Sequence, residues 1–227
     1  MSPSTPVRST EERKINVGCG ATPTPGWINY DNSPSLLLAR LPAWCCDLAA
    51  RTLLSNEQRR FATFARRNRT LLRFADVSKR IPEATSSVSV VYSSHMIEHL
   101  DRSRAGKFLA EVRRVLVHGG IVRIVVPDLR KLIDAYLDSG SADAFLSSLH
   151  MSPPKVSLVE RIRIALIGYR HHLWMYDAKS LAALLTESGF HEARAMLPGE
   201  TRIPSPGGLD LSERADESIC VEAIRPY

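Results

Sequence analysis

Five short segments hold residue types able to do chemistry, and each one closes an apolar run. Lys14 to Gly18 (KINVG) runs into Gly18-Cys19-Gly20, Trp27 to Tyr30 ends at Asp31, and Leu71 to Ala75 ends at Asp76-Val77. Val88 to Tyr92 leads into Ser93-Ser94-His95, and Ile121 to Val126 is closed by Pro127-Asp128. Glycine lets a backbone approach a bound group closely and turn sharply. Carboxylates accept hydrogen bonds from hydroxyls and amines. Histidine exchanges a proton near neutral pH. Together these types suit a site that holds a polar ligand by main chain and carboxylates while a proton is drawn from an acceptor.

The elements that must position them follow from periodicity. The apolar runs read as strands, and the pattern between them is helical. Ser103 to Val117 places Phe108, Leu109, Val112, Val115 and Leu116 on one side, with Gly119-Gly120 as its expected stop. Asp177 is expected to cap a helix whose apolar face holds Leu181, Leu184 and Leu185 and which ends at Ser188-Gly189. Two late strands are expected around His191 to Leu197 and Ser218 to Ile224, joined by the Pro/Gly-rich Pro198 to Gly208. Strands alternating with helices imply an α/β, doubly wound, mostly parallel sheet covered on both faces. Ligands of such sheets bind at the carboxyl ends of the strands. All five chemical segments fall at such ends.

The ligand can be narrowed. A dinucleotide site needs GxGxxG opening a helix, with an acid about 20 residues further on. Here the third glycine is missing, Pro23 and Pro25 follow, and Asp31 arrives much sooner. No helix fits between the first strand and Asp31, so no helix N-terminus is available for a pyrophosphate. A GxxxxGK[ST] loop is also absent. A nucleoside without phosphates remains, and S-adenosyl-L-methionine (SAM) fits, with carboxylates for its ribose hydroxyls and adenine amine.

Bulk properties set the frame. A chain of 227 residues with 44% hydrophobic residues can bury one α/β core. Residues 1–13 read as a disordered tail without the apolar stretch of a secretory signal, and 14–227 as the domain. No apolar run is long enough to span a bilayer. Cys19, Cys45, Cys46 and Cys220 form no CxxC pair, which favours a reducing, cytoplasmic setting. Residues 35–70 read as a helical insertion whose second helix, Ser55 to Arg69, is basic, with Arg59, Arg60, Arg66, Arg67 and Arg69. Phe61, Phe64 and Ala65 would share its inner face. Such a cluster suits a phosphate-bearing acceptor, nucleic acid or a membrane surface, or is simply a solvated face.

Lys14 to Asp31 (KINVGCGATPTPGWINYD) resembles the first motif of class I SAM-dependent methyltransferases of the type 11-like kind, often linked to glycan biosynthesis. The stretch from Tyr92 to Pro127, with SSHMIEHL, the EVRRVL helix, the Gly-Gly turn and RIVVPDL, resembles the same family. So does HLWMYD at His172 to Asp177, with LLTESGF after it. The resemblance implies a Rossmann-like seven-stranded sheet with an antiparallel last strand and residues 140–172 as a substrate-side cap. It further implies that Gly18, Cys19 and Gly20 line the cofactor, with Asp31 on the ribose. Asp76 and Val77 would meet the adenine, and Ser93 and Ser94 the methionine side. S-adenosyl-L-homocysteine would be the product. A sugar or glycan-related small molecule is the acceptor this points to.

Transfer to a sugar hydroxyl needs a base for the departing proton, and His95, directly after the fourth strand, is the first candidate. His172, beside His171 and before Trp174, is the second. Glu98-His99 offers two donors where a metal needs several more, so packing or hydrogen bonding is expected of the pair and no metal is expected. Three other readings stay open. An RNA ribose or base methyltransferase lacks the Asp/Asn-Pro-Pro-aromatic turn of amino methylation and the Pro-Cys of cytosine C5 chemistry. A small phenol or quinone O-methyltransferase keeps the same fold, and so does a non-catalytic SAM-binding domain.

Overall fold

The computed structural model describes residues 12–40, 56–150 and 171–227. The expected tail lies almost wholly outside these residues, as do the middle of the 35–70 insertion and most of the 140–172 cap. The strands are β1 (Lys14–Val17), β2 (Ile28–Asp31), β3 (Leu72–Phe74), β4 (Val88–Ser94), β5 (Leu116–Pro127), β6 (His191–Met196) and β7 (Ser218–Ile224). The helices are α1 (Pro34–Leu38), α2 (Asn56–Arg67), α3 (Arg102–Val115), α4 (Leu129–Ser139), α5 (Ala142–Ser148) and α6 (Ala178–Glu187), with one 3-10 turn at Ile97–His99.

The strands form one sheet in the order β3-β2-β1-β4-β5-β7-β6. Every pair is parallel except those of β7, which runs antiparallel to both β5 and β6. The order reverses beside β1, between the β1–β2–β3 wing and β4, where such sheets open a crevice for a ligand. The alternation of β4 and β5 sorts the core by face. Val91, Val122, Ile124 and Val126 pack with Ile15, Val17 and the inner faces of α3 (Phe108, Leu109, Val112) and α6 (Leu181, Leu185). On the other face Val90, Tyr92, Ile121 and Val125 meet Trp27, Ile203 and Leu209. A third cluster joins α1 and α2 to the β3 edge through Leu36, Ala39, Ala65 and Leu72, with Phe61 and Phe64 against it. The inner face expected for the basic helix is therefore present.

Two differences from the sequence reading have physical reasons. Helix α3 ends at Val115 rather than at the glycines, because Leu116 turns to an extended backbone (φ −62°, ψ 143°) and begins β5. Gly119-Gly120 instead form a kink inside that strand. A Cβ on Gly120 would lie 2.9 Å from the Val117 carbonyl oxygen, and Gly119 has φ 76°. Helix α4 follows directly on Pro127-Asp128, the stop of β5. The Asp128 carboxylate caps it, accepting from Arg130 N at 2.9 Å, and it packs on α5 through Tyr136 and Phe145, rings 5.3 Å apart.

Candidate active site

The glycine turn is held by its own neighbours. The amides of Gly18 and Cys19 both donate to the Tyr30 carbonyl, at 2.8 and 3.0 Å. Gly20 N donates to Asp31 Oδ2 at 3.0 Å, and Ser33 N to Asp31 Oδ1 at 2.7 Å. Asp31 thus fixes the loop from both of its carboxylate oxygens. Gly18 has φ 72°, and a Cβ there would lie 2.7 Å from Met96 Cγ, so the turn is pressed against the segment after β4. Above Gly20 (φ 50°) the position of a Cβ meets nothing within 4 Å. One side of the loop is packed and the other is open for a ligand. The Cys19 side chain turns away into the cluster with Leu36 and Leu72. Burial, then the nearby Asp31 charge, push its thiol pKa far up, so the backbone of Cys19 is what it offers the loop.

The ends of β2 and β3 are tied by Ala75 N donating to the Asp31 carbonyl at 3.0 Å, which brings Asp76 beside the same opening. Burial would raise the Asp76 pKa, but hydrogen bonds from Ser78 and Lys79, with the charges of Lys79 and Arg104, bring it below the ordinary value. It is an anion at neutral pH. The Val77 side chain enters the main core. Ser93 is buried with no hydrogen-bond partner for its hydroxyl, and Ser94 is the last residue of β4. From the far side, Glu213 accepts from Tyr92 Oη at 2.5 Å and from Thr22 Oγ1 at 3.4 Å, linking β4 to the glycine turn. The open face at Gly20, the carboxylates of Asp31 and Asp76 and the unpaired Ser93 hydroxyl fit a nucleoside with an amino-acid tail.

His95 follows with φ 50°, a left-handed backbone uncommon outside glycine, held by His95 N donating to the Val125 carbonyl at 2.9 Å. Its Nε2 is 3.0 Å from Ser218 Oγ, and its Nδ1 is 3.4 Å from Glu98 Oε1. Because Met96 packs on Gly18, this one turn puts His95 next to the loop that would carry the cofactor.

Glu98 is 1% exposed. Its backbone carbonyl accepts from Leu173 N at 2.8 Å and Trp174 N at 3.1 Å, which brings the 171–176 segment onto the 3-10 turn. His172 arrives beside His99, rings 5.2 Å apart, with His150 at 5.5 Å from His172. Burial, opposed by the Glu98 carboxylate and reinforced by His99 and His150, lowers the His172 pKa. Trp174 is largely exposed with the Arg102 guanidinium 5.4 Å above its ring, while Tyr176 is fully buried in the core. A cleft of about 330 Å³ opens here, lined by His95, Glu98, His99, His150, His172 and Glu217 among others. Sequence reasoning named His95 and His172 and missed Ser218, the first residue of β7. It also missed that His172 meets Glu98 and His99. Pairing across the sheet could have shown the first; nothing local signals the second.

Residues 32–124 match a family model described as a methyltransferase domain. Among solved structures, similarity extends to a SAM-dependent methyltransferase of Thermotoga maritima, described as a possible histamine N-methyltransferase. It has a TM-score of 0.51 and 14% identity, over 95% of this chain and 82% of that one. A SAM-dependent methyltransferase of Methanosarcina mazei gives a TM-score of 0.51 and 14% identity, over 96% of this chain and 94% of that one. No curated protein matches the sequence. At such identities the structures speak for the fold, which is that of the class I methyltransferases. The methyltransferase-domain match begins just after β2, ends within β5 and covers less than half of the chain. Among the described residues no helix is long and apolar enough to cross a membrane.

Proposed function

We propose that the protein methylates a hydroxyl of a sugar or a glycan-related small molecule, with His95 as the general base. The observation that carries this reading is the lining of the cleft. Among the described residues, eight of its ten lining residues are His95, Glu98, His99, Ser148, His150, His172, Arg214 and Glu217, with Pro127 and Leu132 apolar. Binding pockets for flat aromatic acceptors are mostly apolar. A polyhydroxylated ring matches a wall of donors and acceptors.

SAM supplies a methyl group already activated on a sulfonium. The protein's tasks are alignment, exclusion of water and removal of one proton. Gly18 and Gly20 give the main-chain face, Asp31 the acceptor for ribose hydroxyls, Asp76 and Val77 the adenine end, and Ser93 and Ser94 the methionine side. In the tautomer with its proton on Nδ1, His95 carries on Nε2 the lone pair that faces the Ser218 hydroxyl at 3.0 Å. An acceptor hydroxyl takes the place of Ser218 Oγ or passes its proton through it. As the acceptor oxygen bonds to the methyl carbon, the carbon–sulfur bond breaks, S-adenosyl-L-homocysteine leaves, and the proton ends on His95. The exposed Arg60, Arg66 and Arg67 of α2 support an acceptor that bears phosphate, such as a nucleotide sugar.

The test is transfer of labelled methyl from SAM to a panel of monosaccharides, nucleotide sugars, catechols and a short RNA. Methylation of sugars, with loss of turnover in His95→Asn, is the expected result. Labelling confined to catechols or RNA overturns the acceptor class.

A further inference from the structure

We propose that Glu98, His99 and His172 form a binding site for one divalent first-row metal ion of the zinc type, at the floor of the acceptor cleft. Each residue presents a ligand atom, and the three lie within 4.8 Å of one another. A tetrahedral ion bound at about 2.0–2.2 Å keeps its ligands roughly 3.4 Å apart, so small side-chain rotations close the set.

Three independent features point to an ion rather than to chance proximity. First, Glu98 is 1% exposed, and neither carboxylate oxygen has a hydrogen-bond partner; His95 Nδ1 lies 3.4 Å from Oε1. A buried carboxylate without partners is costly and calls for a cation. Second, both histidines are already oriented as metal ligands are. His99 Nδ1 is 3.2 Å from the His171 carbonyl oxygen, and His172 Nδ1 is 3.0 Å from that of Leu149. Donation of Nδ1–H to a backbone carbonyl fixes the tautomer and leaves Nε2 with a free lone pair. Third, the scaffold is fastened on both sides, by Leu173 N and Trp174 N on the Glu98 carbonyl and by His172 N on the His150 carbonyl at 3.2 Å.

Two imidazoles and one carboxylate are a donor set that selects a borderline ion over magnesium. Three protein ligands leave a coordination position open, as catalytic sites do. That position faces the cleft shared with His95. On the reading of the acceptor as a hydroxyl compound, the open position takes the acceptor oxygen. The ion lowers the hydroxyl's pKa, and His95 receives the proton.

The experiment uses the full chain, stripped with a chelator and titrated calorimetrically with zinc and with magnesium, and separately with cobalt for its visible absorption. SAM is titrated into every sample. One zinc equivalent per chain is expected, with magnesium far weaker. The cobalt spectrum should lack a thiolate charge-transfer band. Loss of a partner that merely orients a ligand costs 10- to 100-fold in affinity, so Glu98→Gln and His172→Ala should each weaken zinc by about 100-fold or more. His118→Ala, whose ring meets the Pro226 carbonyl and stacks on Tyr227, should leave zinc binding unchanged. Absent saturable zinc binding, zinc binding unchanged in both variants, or a thiolate band overturns the site. If SAM still binds in those cases, the methyltransferase reading stands alone. Should Glu98→Gln fail to bind SAM through misfolding, His172→Ala, in an irregular and half-buried segment, decides.

Discussion

The proposed cofactor side and the proposed acceptor side of this crevice are built in opposite ways. Gly18, Gly20, Asp31 and Ser33 lie within one short stretch, and their fixing bonds are main-chain amides on a carbonyl or carboxylate. The acceptor side is an assembly of distant side chains. His95 meets Ser218 across 123 positions, and His99 meets the His171 carbonyl across 72. A site made of backbone changes little when its side chains change, so a common cofactor can be kept while the acceptor varies. Specificity is then concentrated in the part held by tertiary contacts.

The sharpest way to break that contrast is His95→Asn. A positioned base is worth about 10²- to 10⁴-fold, so kcat should fall by that factor while the SAM dissociation constant stays within about twofold. A parallel loss of SAM affinity would mean that the two sides are not separable. Asp31→Ala should do the reverse. It removes the proposed ribose acceptor together with two loop bonds to a charged group, each worth about 1.5–3 kcal/mol. SAM affinity measured by calorimetry should drop about 100-fold or more. A smaller effect is expected at the contact joining the sides. Gly18→Ala places a Cβ against Met96 at positive φ and should cost about 2 kcal/mol in urea unfolding. Adding Met96→Ala should relieve the clash but not the backbone term, since only glycine adopts that φ without strain.

The smallest effect lies away from the crevice, at the capping box of α6. There Asp177 Oδ1 accepts from Ser180 N at 2.7 Å, and Ser180 Oγ accepts from Asp177 N at 3.0 Å. Asp177→Ala should cost about 1 kcal/mol without touching turnover. The backbone and side-chain bonds from Ser180 hold the Asp177 pKa below its ordinary 3.8. A depressed carboxylate stabilises the fold above the unfolded value, so the difference between wild type and variant should persist at neutral pH. It should fade as the pH falls below 3.8 and through the folded value.

The same contrast decides what could be read in advance. The strand ends, the α3 face with Phe108, Leu109 and Val112, and the cap at Asp177 follow from local period and turn chemistry, and the antiparallel last strand followed from family resemblance. All have counterparts in the structure. The Gly119-Gly120 kink was misplaced because a glycine pair stops a helix and bends a strand equally well, and only the close approach of Val117 O and Leu116 distinguishes the two. Helix α4 lies at the surface, with none of its side chains fully buried. Ser218 and the meeting of His172 with Glu98 are long-range contacts, and no window along the chain contains both partners.

The placement of β7 has a consequence for how the molecule comes into being. Six strands are synthesised before it, yet it belongs between β5 and β6. Until it inserts, both neighbours present open edges, a state that invites pairing with other chains and that a chaperone would have to shield. Ser218, the hydroxyl that faces His95, arrives on that same strand. A nascent chain can therefore have its glycine turn in place and still lack a finished crevice, so the protein's chemistry begins only when its sheet is closed.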